Sequence, residues 1–559
     1  MKKFKKIASL FFSIVMVCSV FTGCSKGNGD DGATTEPTTV DKASMTPEEY
    51  YNIDSWESSE NVIDDNYRNY YHIFVYSFAD SDGDGVGDLN GITSKLDYIE
   101  EMGFNGIWLS PIHQSTTYHK YDVVDYYSID EEYGTMEDFE KFMEECEKRG
   151  IKVILDLVFN HTSTKHEWFK EASEYLKGLE SGEEVNLEEC PYVDYYHIMK
   201  SDEVTTGKYY KITGSDYSYE GQFWDQMPDL NLASSEVRKQ IEKVAQFWVD
   251  KGVGGFRLDA AKEFYTGQTE KNIEVLSWFT DYCKSLDEDL YLVAEVWDSF
   301  STISKYYTSG ITSIFDYAYG DSSGHIIRAI QSAGDGKTGK SLASTFVKTQ
   351  DAYLNSNPNM INAPFLSNHD CGRIAGFSSG KQERIKMAGA LNAFMSGSSF
   401  TYYGEELGMS GSGKDENKRA PMYWSDFGQM DGVCAGPSAM DEVKQKFGSL
   451  ETQKQDKYSI YWYYRNIYHI KNMFPEIARG KVAVMDAIED GNVCAISKTY
   501  NDETIYILFN INKEATTVKV PTDKYSYEGL VASLAIDENE VSMEGDTVTL
   551  PAYGIAVIK

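Results

Sequence analysis

The chain has 559 residues, 41% of them hydrophobic and 25% charged, with a formal net charge of −36 at pH 7. That length exceeds one ordinary core and predicts two or three domains. The composition excludes a disordered chain, and the charge excludes nucleic acid or an anionic membrane surface as the partner. A neutral partner is compatible with so acidic a surface, and 41 tyrosines and 9 tryptophans offer rings to stack on it.

At the N-terminus, Lys2, Lys3, Lys5 and Lys6 precede the apolar run Ile7 to Val20. This is the form of an export signal, too short for a comfortable membrane span. Phe21-Thr22-Gly23-Cys24 resembles a bacterial lipoprotein cleavage site, with Cys24 as the lipidated first residue. An ordinary secretory cut nearby is the alternative. Residues 1–23 are therefore read as the signal, and 24–64, rich in Gly, Asp, Thr and Ser at its start, as a flexible tether. This predicts a protein on the extracellular face of the cell membrane, held there only by lipid at Cys24, and secreted if Cys24 is not lipidated. Cys146, Cys190, Cys283, Cys371, Cys434 and Cys494 show no metal-binding spacing. Cys146 and Cys283 fall on apolar helix faces and read as buried thiols.

Tyr71 to Tyr76 is the first predicted strand. Asp80-Ser81-Asp82-Gly83-Asp84-Gly85-Val86-Gly87-Asp88 follows, with acids at positions 1, 3, 5 and 9 and Gly at 6. This imitates the first part of an EF-hand, but the twelfth position is Gly91, without the bidentate glutamate. It reads as a Ca²⁺ loop of similar mechanics, with carboxylates from Asp80, Asp82, Asp84 and Asp88 and the carbonyl of Val86. Gly106 to Pro111 is the second strand, and His119-Lys120-Tyr121-Asp122 lies on the loop beyond it. Thr135 caps a helix to Arg149 that stops at Gly150. The third strand, Lys152 to Leu157, delivers Asp156, Asn160 and His161. From 162 to 233 the strand–helix rhythm breaks into a polar, aromatic stretch too long for an ordinary loop.

A helix over 236–250 restores the rhythm. The next strand, Val253 to Leu258, ends at Asp259, with Arg257 two residues earlier on the same face. A guanidinium so close is expected to keep Asp259 ionised. Tyr291 to Ala294 ends at Glu295. Thr312 to Tyr317 and Asn362 to Leu366 are strands six and seven, the latter leading to His369-Asp370. Ser399 opens strand eight. Acids that directly follow parallel strands stand at the sheet's C-terminal end, where barrel enzymes build their sites. After about Lys481 come short strands at Val493–Ser497, Glu503–Asn510, Thr516–Val520, Glu540–Met543 and Thr547–Leu550, the texture of an antiparallel sandwich.

Together these strand ends resemble the four sequence signatures of the α-amylase family of glycoside hydrolases, from about residue 65 to the C-terminus. The resemblance implies an α/β fold: a (β/α)8 TIM barrel over 65–475, an inserted small domain after strand 3 (162–233) and a C-terminal antiparallel β-sandwich (476–559). It implies Asp259 as nucleophile, Glu295 as general acid/base and Asp370 as the third catalytic acid, binding sugar hydroxyls. Tyr121, His161, Arg257, Lys262, His369 and Arg373 are implied on the substrate. Glu263 stands where the family usually has His, which leaves a second Ca²⁺ site near Asn160 unassigned. Gln226-Met227-Pro228-Asp229-Leu230-Asn231 lies between the oligo-1,6-glucosidase and neopullulanase forms of that stretch. The implied function is a Ca²⁺-binding α-amylase that hydrolyses internal α-1,4 bonds of starch and maltooligosaccharides with retention, and a monomer is expected. The alternatives are an exo-acting α-glucosidase or oligo-1,6-glucosidase, a neopullulanase or transglycosylase, and a non-catalytic glucan-binding lipoprotein.

Overall fold

The computed structural model describes residues 45–51, 65–180, 182–426 and 432–559. The signal segment, Cys24 and most of the expected tether lie outside the described residues. The described part of that tether is not featureless: Pro47–Tyr51 is a helical turn, and the Tyr50 ring meets Tyr458 edge-on at 6.0 Å. Among the described residues no helix is long and apolar enough to cross a membrane.

Seven parallel strands curl around the centre. In chain order they are Asn69–Ile73, Gly106–Leu109, Lys152–Leu157, Gly255–Leu258, Tyr291–Ala294, Ser313–Ile314 and Ser399–Tyr402. The first six pair in sequence order, and the last pairs with the first. Their side chains are buried on both faces almost throughout, as a sheet wrapped by helices requires. The gap between the sixth strand and Ser399–Tyr402 is filled by 361–366. Asp316 N donates to Ala363 O at 3.0 Å on one side, and Phe400 N to Pro364 O at 2.8 Å on the other. The seventh strand expected over Asn362 to Leu366 is thus a hydrogen-bonded segment without a regular ladder. Pro364 has no N–H to give one, and the sixth strand is correspondingly cut to two residues. Gly255 is a packing necessity: a Cβ there would lie 1.9 Å from Tyr291 O on the neighbouring strand.

Two insertions form the walls above the strand ends. A hairpin, His113–Ser115 with Val123–Ile129, follows the second strand and carries Tyr121 in its loop. After the third strand comes the expected small domain: helix Glu167–Gly178, then a three-stranded sheet of Ile198–Lys200, Tyr209–Lys211 and Tyr217–Glu220. Antiparallel bridges His161–Asp229 and Tyr196–Leu230 close its base.

The C-terminal domain has a five-stranded and a three-stranded antiparallel sheet. In its strands Val493–Tyr500 and Glu503–Asn510, alternate residues serve two cores. Cys494, Ile496, Ile505, Ile507 and Phe509 join the barrel's core, while Val493, Ala495, Tyr506 and Leu508 join a second one between the sheets. That period of two bonds the domain to the barrel. All six described cysteines are free and buried.

Candidate active site

The C-terminal strand ends open into a cleft of about 620 Å³, lined among others by Tyr121, His161, Asp259, Lys262, Glu295, Asp370 and Arg419. Arg257, only 1% exposed, organises its floor. One terminal nitrogen, Nη1, donates to Asp259 Oδ1 at 2.6 Å and to Asp156 Oδ1 at 2.8 Å. The other, Nη2, donates to Glu295 Oε2 at 2.7 Å. Glu295 is held twice more, by the backbone N–H of Ala260 at 3.1 Å and the Tyr317 hydroxyl at 3.2 Å. Ala260 takes φ +48°, a left-handed conformation uncommon outside glycine, and so turns its N–H from the chain of Asp259 toward Glu295.

Asp370 is fixed from the opposite side. Its carboxylate meets His369 Nε2 at 3.0 Å and Arg419 Nη2 at 3.0 Å. Its carbonyl accepts from Lys418 Nζ at 2.6 Å. Tyr121 links the two halves, with its hydroxyl donating to Asp156 Oδ2 at 3.0 Å and lying 2.7 Å from His369 Nε2. Its ring stacks on His369 with centroids 5.2 Å apart.

The environments separate the acids. Burial pushes the Glu295 carboxyl up; Arg257 opposes this, and the charges of Asp259 and Asp370 add to it. Burial also pushes Asp259 up, with a further push from Asp370; Arg257 lowers it, as expected, without outweighing burial. Asp156 is raised by burial to about 7. Asp370 goes the other way: burial raises it, but His369 and Arg419 together outweigh burial and hold it low. Burial lowers His161 to about 4, which makes it a neutral hydrogen-bonding group.

Three residues expected on the substrate are placed elsewhere. Arg257 and His369, each 1% exposed, lie beneath the cleft and pair with its acids. Arg373, also 1% exposed, donates to the carbonyls of Tyr403 and Lys418, and its guanidinium sits 4.4 Å from the Tyr402 ring centroid. It braces the loop that carries Lys418 and Arg419. Lys262 is on the cleft wall, paired with Asp298 at 2.9 Å. Arg419 was missed, although Ala420-Pro421-Met422 follows it directly. The exposed rings of Phe223, Trp224 and Trp297 also line the cleft; Trp297 stacks flat on Tyr317 at 5.0 Å.

Away from the cleft, Asp80, Asp82 and Asp88 bring carboxylate oxygens within 4.8 Å of one another. Gly83 and Gly85, at φ +87° and +94°, fold the loop so that both N–H groups reach the Asp80 carboxylate. This set of hard oxygen donors fits a calcium-sized cation. Asp84 lies outside the group of three: its Oδ1 accepts from Val86 N at 2.7 Å.

Comparison with known proteins agrees with this geometry. The alpha amylase catalytic domain model matches residues 72–480, and the maltogenic amylase C-terminal domain model matches 485–557. Alpha-amylase 3 of Dictyoglomus thermophilum is 37% identical over 456 residues, covering 81% of this chain and 86% of that one. The oligo-1,6-glucosidase of Parageobacillus thermoglucosidasius is 27% identical, covering 84% and 94%. Among solved structures, Eubacterium rectale Amy13B superimposes with a TM-score of 0.87 at 43% identity, covering 89% of this chain and 96% of that chain. The catalytic-domain match takes in every strand end that supplies an acid to the cleft, and it makes the chain a member of the α-amylase family of glycoside hydrolases.

Proposed function

We propose that the protein is an α-amylase that hydrolyses internal α-1,4-glucosidic bonds of starch and maltooligosaccharides with retention, outside the cell. The observation that carries this reading is the shared guanidinium under Asp259 and Glu295. Two carboxylates drawn to one fork suit a retaining pair, about 5–5.5 Å apart, better than an inverting pair, held ~6.5–9.5 Å apart to admit water. Asp259 attacks the anomeric carbon while Glu295, its carboxyl raised by burial, gives its proton to the departing oxygen. Glu295 then takes a proton from the water that releases the sugar from Asp259. Asp370, kept ionised by His369 and Arg419, binds ring hydroxyls. The exposed rings of Phe223, Trp224 and Trp297 on the rim extend stacking beyond one sugar, which favours internal cleavage.

Asp80, Asp82 and Asp88 would hold a Ca²⁺ ion, which neutralises the acids of that loop and stiffens it. The leader and Cys24 support anchoring at the cell surface.

The test is the early product profile of a soluble chain beginning near Ser25, incubated with amylose. A spread of maltooligosaccharides at low conversion, released as α-anomers, is expected. Glucose alone from chain ends would mean an exo-acting glucosidase. Binding without products would mean a glucan-binding protein.

A further inference from the structure

We propose that Lys120 is a positioning residue of the catalytic site, whose buried ammonium fastens a left-handed turn that aims Tyr121 at Asp156 and His369. Lys120 takes φ +65°, a region that lysine rarely adopts. Its side chain does not reach for water. The residue is 2% exposed, its Nζ lies 3.0 Å from Asp130 Oδ1 and in contact with Glu132, and it sits 5.1 Å from the Tyr133 ring centroid. Asp130 is in turn tied to the hairpin base, accepting from Ser115 N at 2.9 Å and Glu132 N at 3.1 Å. Backbone closure of the turn between Thr117 and Tyr121 is weak, with Lys120 N to Thr117 O at 3.3 Å; side chains span it, from Thr117 to Asp122 and His119, and the Lys120 ion pair ties it to the hairpin strand that follows.

What the turn presents is the reason to assign it a part in the chemistry. On one side stands Tyr121, whose two hydroxyl partners, Asp156 and His369, are the groups that hold Arg257 and Asp370. Directly after it, Asp122 accepts from the hydroxyls of Ser115, Thr116 and Thr117 and so ties the end of the turn back to its start. A hairpin needing only stability would reach the same closure with glycine at φ +65° and no buried charge. A strained lysine, sealed against two acids one residue before a cleft-lining tyrosine, sets a direction as well as a fold.

This assignment rests on the site reading above, and two kinds of measurement keep the two separable. Lys120→Met preserves the stem and removes the charge. Its kcat/KM on maltoheptaose is expected to fall roughly tenfold or more at a temperature where its circular dichroism matches wild type. Lys120→Arg, which keeps the charge, recovers most of that loss. The double variant Lys120→Met/Tyr121→Phe is expected to be no slower than Tyr121→Phe alone, because Lys120 acts through Tyr121. Wild-type rate constants in Lys120→Met with only a lowered Tm, or losses that multiply in the double variant, overturn the proposal. If wild type cleaves no α-glucan, the functional reading fails, and a crystal structure of Lys120→Met decides this one. A Tyr121 hydroxyl displaced from Asp156 and His369 supports it, and an unmoved one ends it.

Discussion

Arg257 meets three carboxylates with two terminal nitrogens, and that crowding sets the chemistry residue by residue. A lysine keeps the charge but not the planar fork, so Arg257→Lys cannot hold Asp259 and Glu295 in one geometry. Its kcat on maltoheptaose is expected to fall about 100-fold with the fold intact, checked by initial rates and circular dichroism. The pH dependence follows from Glu295. It must carry a proton to act as acid, so activity is lost as pH rises through its raised folded-state pKa. Asp370 is one of the charges that raise it. In Asp370→Asn the residual activity should therefore fall off at lower pH on the alkaline side than in wild type; an unmoved alkaline limb would show that Asp370 does not bear on Glu295. Asp259, Glu295 and Asp370 were legible in the sequence because each follows an apolar strand or stands four residues beyond one. Arg419 was not, since it sits after a helical turn, Asp415–Lys418, with no periodicity to mark it.

Elements differed in legibility for similar reasons. The helix after the second strand was read nearly to the residue because its ends carry local chemistry. Thr135 accepts from Asp138 N at 3.2 Å while Asp138 Oδ2 accepts from Thr135 N at 2.9 Å, a reciprocal cap, and the helix runs Met136–Lys148. Thr135→Ala is expected to cost about 1 kcal/mol in urea unfolding. Because that helix supplies nothing to the cleft, kcat should stay at the wild-type value. The sixth and seventh strands were overdrawn. Apolar runs mark burial, but whether a ladder forms depends on donors, and Pro364 lacks one where it was needed. In the C-terminal domain the strands Leu530–Leu534 and Ile555–Ile558 escaped notice; the first is largely half-exposed and short, the second a four-residue apolar tail.

Across the whole molecule, the junction of barrel and C-terminal domain holds buried lysines among its apolar side chains. Lys498, on the strand Val493–Tyr500, donates to Ile477 O at 2.6 Å and Ser396 Oγ at 3.0 Å. Lys471, from helix Ile460–Met473 and 3% exposed, donates to Ser399 Oγ at 3.0 Å. Both are pushed down by burial, Lys471 to about 7 with a further contribution from Arg479, and Lys498 well below its usual range with Lys471 contributing. The folded chain therefore releases a proton from Lys471 that the unfolded chain keeps up to pH ~10.4. Between pH about 7 and ~10.4 the unfolded state binds more protons, so this group makes stability rise with pH across that window. Below about 7 both states are protonated and the full cost of burying the charge is present, on the order of a few kcal/mol. Lys471→Met removes the cost along with one hydrogen bond to Ser399. Its gain in Tm over wild type is expected to be larger at pH 6 than at pH 9, measured by thermal unfolding of the two chains side by side. An equal shift at both values would mean that Lys471 keeps its proton in the folded protein, so that the junction tolerates a buried ammonium that donates to the Ser399 hydroxyl.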